Sequence, residues 1–550
     1  MRPKVLNDQL VPSSLSNISN LATLDLAFNA LEGKIPKDIG NLKNLRVLNL
    51  ESNDLTGYVP LSFSNATKLE TLILSKNFLH GSIPNGIGDL HNLNWLGMEG
   101  NQLTGSMPFS IFNISTLESI GLTENSLSGN LPTDLCDLLS ILEGLHLSSN
   151  KLQGHMPPSF SGCYELQILS LSDNEFDGPI HSEIGKLTNL QILYLGSTHF
   201  TGEIPQEIGD LVNLVMIGME KNHLTGSIPK SMFNITSLQL LSLENNNLTR
   251  SLPRELRNLT MLQDLLLGGN KLTGEIPKEV SNLIEFEECD LEVNRFSGSF
   301  PIGIFNISGL KLIDHTLSTL SGTLPSNIGS TLPNIELLCL GGLTNLAGSI
   351  PHSLSNCSKL KTLDLALNKL SGYIPDSLGD LKSKELSLSY NPLNGMLPAS
   401  VGNLSTSLEK VLASDCQIKG GIPREIGNLS SLIFLYLYKN ILTGPIPMKL
   451  GNLSRLQILS LAKNKLTGSV GDNLCKLQNL GENQFSGLVP KCLGNVTSLR
   501  VIQLNFNRLS STILASLGHL KDILELDLSS NNMSGSLPTE IGNIKAAFAW

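Results

Sequence analysis

Charge is scarce in this sequence. Charged residues make up 16% of its 550 residues, against about 25% in an ordinary soluble chain. The 38 Lys and Arg are outnumbered by 48 Asp and Glu, and this deficit of basic residues argues against a nucleic-acid binder, which carries a basic stripe. Aromatics reach only 5%. The 49 Gly and 26 Pro are near average, which excludes collagen-like and low-complexity chains. Long apolar runs are missing too. Ser431 to Tyr438 is among the longest, far below the ~18 residues of a membrane-spanning helix. Arg2 and Lys4 follow Met1, but Leu6-Asn7-Asp8 come at once, so the apolar core of an export signal is not seen. Catalytic signatures are equally absent: no His-Glu-x-x-His, no Gly-x4-Gly-Lys-Ser/Thr, no His-Arg-Asp or Asp-Phe-Gly. The 10 His are scattered singly, and the 8 Cys form no Cys-x-x-Cys pair or zinc spacing. No catalytic residue, metal site or cofactor is expected.

What the sequence does have is a repeat, which decides the architecture. From Leu21 it runs Leu-x-x-Leu-x-Leu-x-x-Asn-x-Leu-x-Gly-x-Ile-Pro, then a polar half ending Ile-Gly-Asn-Leu. With Leu21 as position 1, the ninth position falls on Asn29, Asn53, Asn77, Asn101 and Asn125, each 24 residues apart, and resumes at Asn150 after one insertion. About 22 such repeats fill 21–546, with residues 1–20 as the remnant of an incomplete repeat and 547–550 as the start of another. Leucines at positions 4 and 6 share one face of a short strand. A lone coil cannot bury that face, so stacked coils must share one core, as a repeat solenoid. The ninth-position Asn is placed to donate to and accept from turn backbone. Gly at position 13 (Gly33, Gly57) permits a positive-φ bend, and Pro at position 16 (Pro36, Pro60) suits a capped or edge segment.

The Leu-x-x-Leu-x-Leu-x-x-Asn core is that of the leucine-rich repeat, and its Leu-x-Gly-x-Ile-Pro continuation resembles the plant extracellular class. Ile111–Ser115, Ile304–Ser308 and Cys416–Leu429 are similar to segments of plant receptor Ser/Thr kinase ectodomains of the flagellin and elongation-factor-Tu immune receptor group. The resemblance implies an α/β-type repeat solenoid: a right-handed superhelix with a parallel sheet on its concave face and loops with short 3₁₀ turns on its convex face. It also implies cysteine-paired end caps, for which neither end of this sequence has the cysteines. In the family the concave face binds a peptide or protein ligand for defence or developmental signalling. A co-receptor docks near the C-terminal coils, and the kinase lies beyond the membrane helix, outside this sequence. Two other readings stay open: a secreted inhibitor of wall-degrading enzymes, similar to polygalacturonase-inhibiting proteins but about twice their usual repeat number, and a non-functional truncated product.

Several coils break the pattern, near 310–360, 380–408 and 475–498. Thr198, Ser318 and Cys416 replace the ninth-position Asn; Arg250 and Ser511 replace the position-13 Gly; His181, Gly471 and Leu514 replace the Pro; and His315 stands where an inward Leu belongs. Only 19 residues separate Asn464 from Asn483, so five are missing. The loss is expected in the strand half, either as a kink or as gene damage. Cys289 falls at an inward position as a small core residue, while Cys136 with Cys163, or Cys475 with Cys492, stand on neighbouring coils and could bridge. Asn-x-Ser/Thr occurs at Asn17, Asn65, Asn113, Asn234, Asn247, Asn258, Asn306, Asn356, Asn403, Asn428, Asn452, Asn495 and Asn532. Most fall near position 21, where glycans would leave the concave face clear. With the resemblance, they point to a secretory route, either to the outer face of the plasma membrane or to secretion.

Positions 3, 5 and 7 face outward from the strands. The coil from Phe286 presents Glu288, Asp290 and Glu292, and Glu244, Asp264 and Asp314 stand on other coils. The coil from Leu432 presents Phe434, Tyr436 and Tyr438; earlier coils offer Trp95 with Glu99, and Tyr194. Six coils separate the acidic and aromatic triplets, about 29 Å at ~4.8 Å per strand. A basic, extended peptide of about nine residues could touch both.

Overall fold

The computed structural model describes residues 18–404, 407–471, 479–495 and 500–544. Contacts divide the chain into two units, Met1–Thr273 and Gly274–Trp550, and both repeat one coil. Positions 3–5 form a three-residue strand, as at Thr23–Asp25, Val47–Asn49 and Thr71–Ile73. Each strand pairs in parallel with its counterpart one coil on, Leu24 opposite Leu48 and Leu48 opposite Leu72. This ladder sheet runs from Thr23–Asp25 to Asp264–Leu266 in unit 1. In unit 2 it runs from Glu288–Asp290 to Ile458–Ser460. A second short strand around position 13 builds a parallel ribbon, nine-stranded in unit 1 from Glu32–Lys34 to His223–Thr225. The coil closes through a 3₁₀ turn such as Lys37–Asn41, replaced by an α-helical turn at Leu135–Leu138 and at Ile328–Thr331. The parallel-sheet repeat fold expected from the sequence is the observed one.

The alternation of the strand explains the core. Leu48, Leu72 and Leu96 at position 4 and Leu50 and Leu74 at position 6 are buried, and each such side chain contributes about 1.5–3 kcal/mol on leaving water. The ninth-position Asn does more than close its own turn. Asn77 Nδ2 donates to Leu74 O and Ser75 O in its own coil and to Leu50 O in the coil before, while its Oδ1 accepts from Leu55 N of that earlier coil. The amide therefore staples two coils. Gly57 takes φ +86° at position 13, as expected. Position 8 is left-handed in nearly every coil without any glycine signature: Ser52 has φ 55° and Lys76 φ 54°. The next coil holds it there, because Ser52 N donates to Ser75 O and Lys76 N to Glu99 O. Pro36 and Pro60 stand at the start of 3₁₀ turns, where a missing N–H costs nothing.

Departures from the pattern are absorbed in different ways. Thr198 Oγ1 donates to Leu195 O, and Cys416 Sγ to Leu388 O and Ser414 O, standing in for the ladder Asn. Ser318 does not, since its buried Oγ has no partner. Arg250 adopts the left-handed φ of 72° that the missing Gly would have taken. At the short coil, where a loss in the strand half was expected, residues 472–478 lie outside the described residues and the ladder is seen again at Asn479. Asn479 bridges Ser460 on one side and Gln503 on the other, and Asn483 still accepts from Leu466 N and donates to Leu461 O. Cys136 and Cys163 form a disulfide with Cα atoms 5.1 Å apart. Cys475, Asn17, the remnant at 1–17 and the residues from 545 on lie outside the described residues. Cys289 is buried, as its inward position requires.

Candidate functional site

The outward side chains of the ladder sheet gather into one groove in unit 2. Phe434–Tyr436 is a ladder strand; its neighbours are Lys410–Leu412 and Ile458–Ser460. Because positions 3, 5 and 7 of one strand lie on one face, Phe434, Tyr436 and Tyr438 line a groove of about 540 Å³ together with Glu385, Ser389, Tyr390, Lys410, Leu412, Ser414, Ser460 and Asn479. The Phe434 and Tyr436 rings stand 6.4 Å apart and tilted. Lys463 Nζ sits 5.5 Å over the Tyr438 ring; hydrogen bonding to the Tyr438 side chain first, and then Glu482, holds the ammonium above its ordinary pKa. Lys410 pairs with Glu385 at 2.9 Å on the rim. The aromatic triplet was legible in the sequence. Lys410, Leu412 and Ser414 occupy the same outward positions one coil earlier and could have been found by the same count. Tyr390 could not, because it reaches the groove from the left-handed position 8 (φ 60°).

The acidic residues form a column in the same unit. Asp290 pairs in register with Asp314, Asp314 with Cys339, and Cys339 with Asp364. Glu288 and Glu292 stand beside Asp290, half-buried. Burial first, then Asp314 and Asp290, pushes the Glu292 carboxyl up. Burial also raises Asp314, against the Thr316 N–H that donates to its Oδ1 at 2.9 Å. The Cys339 thiol, half-buried between Asp314 and Asp364, is driven strongly upward and stays protonated.

The remaining sequence-derived residues lie in unit 1. Glu244 and Asp264 are half-buried on neighbouring strands, with Ser242 Oγ donating to Glu244 at 3.4 Å. Trp95 is 49% exposed. It shares the bare face of Gly97 with Glu99, which Ser75 hydrogen-bonds. Tyr194 is half-buried, its hydroxyl 3.0 Å from Met216 Sδ. Sequence reasoning missed His146, half-buried at an outward position, whose pKa burial lowers against the pull of Glu99. Across unit 1, positions 3, 5 and 7 hold Asp25, Glu51, Glu99, Glu220, Glu244 and Asp264 but no Lys or Arg. Among the described residues of unit 2, Lys410 alone is a cation at these positions.

Sequons at position 21 end the 3₁₀ turns. Asn65, Asn113, Asn234, Asn306, Asn356, Asn403, Asn428, Asn452 and Asn495 are exposed there; Asn258 is half-buried. Asn532 is exposed elsewhere in its coil, and half-buried Asn247 accepts from Lys271 Nζ. Among the described residues no three His, Cys, Asp or Glu converge as metal donors, and no helix is long and apolar enough to cross a membrane.

Comparison with known proteins gives this arrangement its relatives. The family model described as a leucine-rich repeat region matches residues 146–300, and the single leucine-rich-repeat model matches six further segments between 20 and 544. No curated protein sequence matches. Among solved structures, the plant peptide hormone receptor RGFR1 in complex with RGF2 is 32% identical with a TM-score of 0.84, over 98% of this chain and 92% of that one. The Arabidopsis receptor kinase HAESA in complex with the peptide hormone IDA and the co-receptor SERK1 is 32% identical with a TM-score of 0.85, over 94% and 88%. PEPR1 with AtPEP1 is 31% identical with a TM-score of 0.86, over 98% and 83%. With its repeats matched by the family models and its fold by these ectodomains, the chain belongs to the leucine-rich-repeat family of plant receptor-kinase ectodomains.

Proposed function

We propose that this chain is the ligand-recognition ectodomain, or a piece of one, of a plant cell-surface receptor kinase in defence or developmental signalling. It acts on the outer side of the plasma membrane, carries N-linked glycans on its 3₁₀ turns, and binds a basic, extended peptide or protein segment along the ladder face of unit 2. An apolar side chain of the ligand settles in the groove of Phe434, Tyr436 and Tyr438, and its basic residues lie over Glu288, Asp290, Glu292 and Asp314. Glu244, Asp264, Trp95 and Tyr194 are candidate contacts on the ladder face of unit 1. A co-receptor docks near the C-terminal coils. The ectodomain does no chemistry itself, and catalysis belongs to the kinase of a longer parent protein.

One observation carries the reading: an aromatic groove opens on a face where carboxylates are many and Lys410, itself paired with Glu385, is the one Lys or Arg described at positions 3, 5 and 7 in unit 2. A face so depleted of positive charge attracts a ligand that supplies it, and exposed aromatic side chains are the usual anchors of an interface. The relatives support the same class, since two of the named structures hold peptide hormones. The test uses synthetic peptides of about nine residues, with Trp or Leu at one end and Lys or Arg at the other. Phe434→Ala with Tyr436→Ala weakens their binding by about tenfold or more, measured by calorimetry, as loss of ~1.4 kcal/mol or more of anchor contact requires. Charge reversal at Glu288, Asp290 and Glu292 weakens the basic peptides and leaves neutral ones unchanged. Unaltered affinity in both sets of variants removes the ladder face of unit 2 from the reading.

A further inference from the structure

The left-handed position 8 is polar or glycine in most coils, with Phe28 (φ 55°) in unit 1 and Phe506 (φ 49°) in unit 2 among the exceptions. From Ser52 to Gly269 in unit 1, every residue there is polar or glycine. In unit 2 the position holds Val293 (φ 48°), Leu317 (φ 58°) and Leu367 (φ 56°), with Gly342 (φ 69°) between the two leucines. A β-branched or bulky residue is the poorest choice for this backbone, which favours Gly, Asn and Asp. Burial does not offset the strain, because the three side chains are 45%, 53% and 49% exposed. They are also contiguous. Val293 N donates to Thr316 O, Leu317 N to Gly341 O and Gly342 N to Ala366 O, so the four coils are stapled in sequence. Leu317 lies over Gly342, where a Cβ would come within 2.8 Å of its Cδ2. On the ladder side, the stripe is flanked by Asp290, Glu292, Asp314 and Asp364; on the ribbon side stand Arg295 and Lys369.

Apolar side chains that are strained, exposed and aligned over four coils do nothing for the fold that Asn or Gly would not do better, and exposed apolar patches of this kind mark association. We propose that Val293, Leu317 and Leu367 form a docking stripe for a second protein, one that presents an apolar ridge with basic residues turned toward Asp290, Glu292, Asp314 and Asp364. Charge complementarity selects this occupant: four carboxylates lie on the ladder flank, with no Lys or Arg at the outward positions of the same coils. The stripe lies apart from the aromatic groove but shares Asp290, Glu292 and Asp314 with the proposed peptide site, so the two ligands compete for those carboxylates.

The test pairs stability with binding in the full chain. The triple variant Val293→Asn, Leu317→Gly, Leu367→Asn relieves the left-handed strain, so its Tm is unchanged or rises by about 2 °C. The probe is a strand-forming peptide of alternating Leu and Lys, with Ser/Lys and Leu/Glu versions as controls. In a chain carrying Phe434→Ala with Tyr436→Ala, which removes the groove's anchors, the Leu/Lys peptide still binds; adding the triple variant costs it at least tenfold in affinity, and the controls do not bind. Four results overturn the proposal: a triple variant that melts several degrees lower, equal binding of the Leu/Glu peptide, loss of binding on altering the groove, or a concentration-dependent dimer that the triple variant dissolves. The last makes the occupant a second copy of this chain.

Discussion

Asn174 shows what one residue does in this fold. Its amide is buried, donates to Leu171 O and Ser172 O in its own coil and to Leu147 O in the coil before, and accepts from Leu152 N. Asn174→Leu leaves those groups without partners in a place water cannot reach, at a cost of about 1–3 kcal/mol for each group left unpaired. A lowered denaturant midpoint and faster hydrogen exchange at Leu152 N are the expected outcome; Asn29, exposed in an early coil, loses far less on the same change. His315 is the opposite case, a polar ring in an apolar rung. It is fully buried with Nδ1 unpartnered, edge-on to Phe300 at 5.0 Å, and burial pushes its pKa down to about 3. The sign follows: the unfolded chain takes the proton first, near pH 6.5, so stability is full above that value and falls as pH drops toward 3. At pH 5 the loss is about 2 kcal/mol relative to neutral pH. Urea titrations at pH 7 and pH 5 measure it, and His315→Leu removes that part of the slope.

Within the coil, the strand half was the most legible element. Alternation at positions 4 and 6 and the recurring Asn and Gly each impose one geometry, and each is seen: Leu48 and Leu50 inward, Asn53 bonded across coils, Gly57 at positive φ. The 3₁₀ half was harder to read, because its key contact is made to the next coil. Gly185 is such a residue. A Cβ there would lie 2.6 Å from Glu207 O and 2.7 Å from Glu207 Cβ, so the glycine sets how closely successive turns stack. Gly185→Val forces them apart and costs about 1–3 kcal/mol, read as a lower Tm. The Cys136–Cys163 bridge was also only half legible, since sequence spacing offers the pair without fixing its geometry. Removing Cys136–Cys163, which closes a separation of 27 residues, destabilises by about 3 kcal/mol. Melts of Cys136→Ser with Cys163→Ser against wild type, each with and without reductant, check this.

At the scale of the molecule, charge is sorted by face rather than merely acidic in sum. The net charge of −10 conceals outward strand positions that are almost free of cations, with Lys and Arg placed on the turns and ribbons instead. The acidic column was legible from the triplets; its electrostatics were not, because they depend on Asp364 and half-buried Cys339 arriving in register from later coils. The groove was half legible, since period-2 counting finds Phe434, Tyr436 and Tyr438 but gives neither its depth nor Tyr390. Two dependences follow for basic peptides on this face. Affinity falls as salt rises from about 50 to 500 mM, because the Debye length shrinks below the spacing of the charges. It also falls on acidification, beginning at a higher pH than ordinary carboxylates require, since the Glu292 and Asp314 pKa values are raised. Calorimetric titrations across both series, with Glu292→Gln flattening the pH response, are the measurement.

The ladder amide also gives the solenoid a direction. Asn77 serves the carbonyl of Leu50 and the amide of Leu55, both in the coil before it, and Asn174 does the same for Leu147 and Leu152. Where the ladder Asn is present, a coil thus borrows its seal from its successor and lends one to its predecessor. Peeling from the low-numbered end strips away only debtors, whereas loss of a high-numbered coil leaves the neighbour behind it unsealed, so damage travels toward the start of the chain more readily than toward its end.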